Sequence, residues 1–144
     1  MCAPVGSVQG FVVDIKTATG FQVNFPVICD ESNEVAQKLE LVKEASAFMR
    51  GVTFVNEELK VAMTMNYPAS CGMNFHEILR IIDSLSLTKK HEVFTPVNWV
   101  RGQDTIVGAD VDERKADNVH DSIQRIDLPS QKGYLRVVHD PSSV

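Results

Sequence analysis

Three cysteines and four histidines are the side chains of this 144-residue chain best suited to nucleophilic, redox or metal chemistry. Cys71 holds the most suggestive place among them. It stands in YPASCGMNFHEILRIIDSL, residues 67–85, on a short Pro/Gly turn directly before a helical pattern. A helix N-terminus lowers a thiol pKa, and the thiolate is the reactive form. No His or Lys lies beside it in sequence to act as a base; His76 is the nearest. The plainer reading of Cys71, a small residue in a turn, stands beside the reactive one. Cys29 ends a Val/Ile run and reads as a core thiol, and Cys2 lies at the chain end. The histidines, His76, His91, His120 and His139, show no H-x-x-x-H spacing, and the cysteines no C-x-x-C, so neither a metal nor a cofactor is expected.

The elements around these residues emerge from periodicity. Val8, Phe11, Val12 and Ile15 fall on one helical face, with Ser7 as N-cap and Gly20 as the stop. The stretch FQVNFPVICD, residues 21–30, reads as a short buried strand running into a turn. Asp30 or Ser32 then caps a second helix with Val35, Ala36 and Leu39 inward. Residues 50–55 and 59–67 read as two strands of a tight hairpin. In the second, Leu59, Val61, Met63 and Met65 share one face. Asn74 and Glu77 form a capping-box pair ahead of a helix whose apolar stripe is Phe75, Ile78, Leu79, Ile82 and Leu85. Past Leu87 the chain turns polar and is punctuated by Pro96, Gly102 and Gly108, which places a boundary near Thr95. A short charged helix is expected within 111–120, where DVDERKAD reads as a solvated face, with a partner surface as the sharper option. A last strand lies in GYLRVVH, ahead of a loose Pro/Ser tail.

Bulk composition narrows the function classes. Apolar residues make up 44%, which suffices for a packed core, and the net charge is −5 with no basic run. Phosphate backbones need clustered Lys and Arg, so no nucleic-acid partner is expected. No apolar run reaches the roughly 18 residues that span a bilayer, so no membrane insertion is expected. MCAPVGSVQG lacks the basic and apolar regions of a signal peptide. Three widely spaced cysteines make a poor disulfide framework. That points to an intracellular reducing compartment, cytoplasm or mitochondrial matrix.

FPVICDESNEVAQKL, RGVTFVNEELKVAMTMNYPASCGMNFHEILRIIDSLSLT, TPVNW and DLPSQKGYLRV, taken in this order, resemble the 1-Cys peroxiredoxins. The resemblance implies an α/β chain: a partial thioredoxin-like (peroxiredoxin) sheet with flanking helices over 1–94, and a small C-terminal peroxiredoxin domain over 95–144. It implies a dimer, or a place in a larger complex, built through an edge strand at 59–67. Leu59, Val61, Met63, Met65 and Tyr67 would lie at that interface. An apolar strand with an unpaired edge independently calls for a partner.

The family reduces peroxides with one cysteine in a P-x-x-x-T-x-x-C motif, and the 144 residues contain no such run. By resemblance the chain matches the family only from just before the Ser7 helix onward. Arg50 matches one active-site arginine of the family. The other matches Met73, in Gly72-Met73-Asn74-Phe75, which can neither neutralise a thiolate nor donate a hydrogen bond. The stretch KLELVKEASAFMR also lacks the family's G-M-P-x-T-A-R wording. Cys71 matches a threonine of the family turn. The expectation is a degenerate family member without peroxidase activity of its own, serving as a structural or interaction module. The alternative is a thiol peroxidase of which this chain is a fragment or one half.

Overall fold

A computed structural model of the chain describes residues 4–41, 49–108, 111 and 123–142. It divides into two compact units, Met1–Met73 and Asn74–Val144.

The first unit opens with helix α1, Val5–Thr19. Pro4, not Ser7, is its N-cap; the fixed φ of proline suits the entry to a helix, and its carbonyl accepts from Ser7 and Val8 N–H. Gly20 ends the helix as expected. Its φ of 75° is the left-handed conformation that glycine adopts without strain, and its N–H reaches Lys16 O at 2.9 Å. Val8 is buried and Val12 and Ile15 are half-buried, whereas Phe11 is exposed.

Residues 21–30 form no strand, contrary to the sequence reading, and Phe21, Phe25 and Ile28 are exposed. β-propensity becomes a strand only beside a hydrogen-bonded neighbour, and no strand among the described residues pairs with this stretch. The N-cap of the next helix is Asn33 rather than Asp30 or Ser32, but Asp30 supplies the acceptor for its first N–H groups. Its carboxylate accepts from Val35 N at 3.1 Å and Ala36 N at 2.8 Å, at the start of helix α2, Glu34–Lys38. Of the residues expected inward on α2, only Ala36 is half-buried; Val35 and Leu39 are exposed.

Strands β1, Met49–Val55, and β2, Val61–Pro68, form the expected antiparallel hairpin. Its register sets Arg50 opposite Tyr67, Val52 opposite Met65 and Phe54 opposite Met63, so these six share one face. Leu59 does not belong to the strand. It sits in the connecting turn at φ 58° and is 87% exposed. Asn56 makes that turn: its Oδ1 accepts from Lys60 N at 2.8 Å while its own N–H bonds Lys60 O at 2.9 Å. On the other face, Leu41 lies directly over Gly51, in the space a Cβ would need.

The second unit begins at helix α3, Phe75–His91. Asn74 Oδ1 accepts from His76 N at 3.0 Å and Glu77 N at 3.3 Å, so the cap is as expected. The reciprocal half of the capping box is not made. Both Glu77 oxygens take Arg80 instead, at 2.6 and 2.8 Å, a bidentate pair one turn on. Lys89, Lys90 and His91 close the helix, where the dipole favours cations. The expected inward stripe is largely bare. Phe75 is 66% and Leu79 60% exposed, Ile82 is exposed, and Ile78 and Leu85 are half-buried. The helix buries Ile81 and Leu87 instead. Periodicity marks which face is apolar, but it does not say what covers that face.

Four short strands complete the unit: β3, Val93–Phe94; β4, Thr105–Val107; β5, Gln124–Arg125; and β6, Arg136–Val138. They make an antiparallel sheet in the order β3-β4-β6-β5. Leu87, Val93, Trp99, Val107 and Val138 form its core, so Trp99 packs with residues from both sides of position 95. Trp99 is 1% exposed, and its Nε1–H donates to Gln103 O at 3.0 Å. The expected strand in GYLRVVH is present as β6, and just after it Ser142 bonds back to Asp140, while residues 143–144 of the tail lie outside the described residues. Asp140, fully buried, accepts from Gly102 N at 2.7 Å, Ser142 N at 2.8 Å and Ser142 Oγ at 2.7 Å. Burial alone would push that carboxyl up; the three hydrogen bonds and the Arg101 charge hold it below the ordinary carboxylate range. Arg136 is also buried, donating to the Gly108 and Val111 carbonyls. The charged helix expected within 111–120 and most of KLELVKEASAFMR lie outside the described residues. No helix among the described residues is long and apolar enough to cross a membrane.

Candidate functional site

Two of the residues singled out for chemistry meet at the open end of the β1–β2 hairpin. Arg50 projects from the second residue of β1, on the face it shares with Val52, Phe54 and Tyr67. Beyond β2 the chain turns back at once: Cys71 N–H donates to Pro68 O at 2.9 Å. That turn carries the Cys71 carbonyl to Arg50, whose Nη1 donates to it at 3.4 Å. Two sequence candidates 21 residues apart are therefore neighbours, joined through main chain rather than through the thiol.

Both are exposed. A guanidinium carries five N–H donors in a rigid fork, and among the described residues a single long bond is made to this one. The Cys71 sulfur has no hydrogen-bond partner among the described residues and is a free thiol.

The remaining candidates lie apart. Cys29 is a half-buried free thiol beside Asp30, less enclosed than a core thiol, and Cys2 lies outside the described residues. Met73 is exposed and offers no donor. His139 pairs with Asp104 at 3.1 Å on the surface of the second unit, His91 ends α3, His76 lies in its first turn, and His120 lies outside the described residues. Among the described residues no cluster of three His, Cys, Asp or Glu side chains is set to hold a metal.

The strand edge expected at 59–67 takes shape as β2. Its hairpin is a two-stranded sheet, so among the described residues β2 has a partner on one side alone. Val61 and Met63 are exposed, and Met65 and Tyr67 half-buried. Sequence reasoning missed the acceptor of Arg50. It is a backbone carbonyl, and a side-chain pattern carries no sign of it. It also missed the buried charges Asp140 and Arg136, whose partners are mostly main-chain groups.

Comparison with known proteins gives a consistent result. Residues 84–118 match the family described as the C-terminal domain of 1-Cys peroxiredoxin. The chain is similar to the 1-Cys peroxiredoxin of Medicago truncatula, 32% identical over 143 residues, covering 94% of this chain and 66% of that one. It is also 32% identical to the probable 1-Cys peroxiredoxin of Bromus secalinus, covering 94% of this chain and 71% of the relative. Among solved structures, the peroxiredoxin 6 of Arenicola marina superimposes with a TM-score of 0.88 at 34% identity, covering 97% of this chain and 68% of that one. Against five of the curated relatives the chain spans between 53% and 66% of their length.

Proposed function

Because this chain belongs to the 1-Cys peroxiredoxin family, we propose that its 144 residues are a structural and interaction module within an assembly and reduce no peroxide by themselves. Its architecture is part of the α/β, thioredoxin-like fold of the peroxiredoxins. The observation that carries the module reading is apolar surface left uncovered on well-formed elements. Phe75, Leu79 and Ile82 are exposed on a capped helix, and Val61 and Met63 are exposed on a strand that, among the described residues, is paired on one side alone. Monomers rarely leave such surface open, and a bare strand edge pairs readily. The partner is a second copy or another polypeptide, docked through β2 with Val61, Met63, Met65 and Tyr67 in the contact and Leu59 at its end. The chemistry agrees: there is no P-x-x-x-T-x-x-C in these residues, Met73 by resemblance takes the place of a family arginine, and among the described residues no donor supports the Cys71 sulfur. Native mass spectrometry of the protein from its source tests this. A complex heavier than one chain is expected; a stable, folded lone chain refutes it.

A second reading is favoured by Arg50, exposed and held beside the YPASCG turn. In that reading these residues are part of a thiol peroxidase whose nucleophile lies on other polypeptide. A cysteine thiolate there attacks the peroxide, the O–O bond breaks, the cysteine becomes a sulfenic acid, and the departing alkoxide or hydroxide takes up a proton. Arg50 would stabilise the oxygen that leaves. The partner's sequence decides: a P-x-x-x-T-x-x-C motif supports this reading, and a partner without it supports the module alone. Free thiols at Cys29 and Cys71 fit a reducing compartment, and we place the protein in the cytoplasm or the mitochondrial matrix on that ground.

A further inference from the structure

We draw no further inference here: the strongest candidate, the bare apolar stripe of Phe75, Leu79 and Ile82 along helix α3, belongs to the surface already used in the proposed function, and with Glu77 and Asp83 of the same helix already paired to Arg80 and Arg101 nothing in the structure shows what covers it.

Discussion

Replacing Asp140 by asparagine tests how the second unit is held together. The carboxylate sits at zero exposure and takes three hydrogen bonds: Oδ2 from Gly102 N–H, Oδ1 from Ser142 N–H and hydroxyl. Asparagine keeps one acceptor oxygen and turns the other into an NH2 group facing a donor. If it retains the Ser142 pair, it loses the bond to Gly102 and leaves that N–H opposed by another donor. A hydrogen bond to a charged group contributes about 1.5–3 kcal/mol, so Asp140→Asn should cost about 2–3 kcal/mol. For a chain of this length each kcal/mol moves Tm by roughly 3–5 °C, giving a drop on the order of 10 °C. Trp99 is the single tryptophan, and it lies in the core of the same unit, so its fluorescence on heating reads this melting directly. The pH dependence has a definite sign. The carboxyl is held below its ordinary value in the fold, so its stabilisation is full above the unfolded value, about 3.9, and fades as pH falls through the lower folded value. The gap between wild type and variant should be largest near neutrality and close under strong acid. Equal melting temperatures at pH 7, or a gap unchanged by acid, would refute the reasoning.

Other perturbations probe the same geometry. Trp99→Ala removes the largest side chain of that core and should cost about 3–5 kcal/mol, read by denaturant unfolding followed by circular dichroism. Asn74→Ala removes the acceptor for two N–H groups of α3 and should cost about 1 kcal/mol, with Asn74→Ser recovering most of it. Gly51→Ala places a methyl where Leu41 lies and should destabilise by about 1–3 kcal/mol; combining it with Leu41→Ala should cost less than the sum of the two single changes, and strict additivity would contradict the contact. Cys71→Ser should leave peroxide consumption unchanged, and a clear loss of rate would make Cys71 a working thiol after all.

How much of the fold was legible in the sequence depended on whether the signal was local. The Asn74 cap and the Gly20 stop rest on hydrogen bonds a few residues long, and both stand where the sequence put them. The hairpin was legible for the same reason, although Asn56 drew Leu59 into the turn and shortened the strand. Residues 21–30 failed because a strand depends on a neighbour that the stretch itself cannot specify. The α3 stripe failed in a related way: its spacing marked the apolar face correctly, and the burial fell on Ile81 and Leu87. At the candidate site, Arg50 was singled out by family resemblance, but its partner is the carbonyl of Cys71, invisible to any reading of side-chain types.

The central claim, that these residues do not reduce peroxide alone, is tested most directly by exposing the purified chain to equimolar hydrogen peroxide and following each cysteine by mass. The expected result is that Cys2, Cys29 and Cys71 each gain oxygen no faster than an ordinary free thiol. Rapid, stoichiometric addition of one oxygen to a single cysteine would contradict the account and make the chain a peroxidase in its own right.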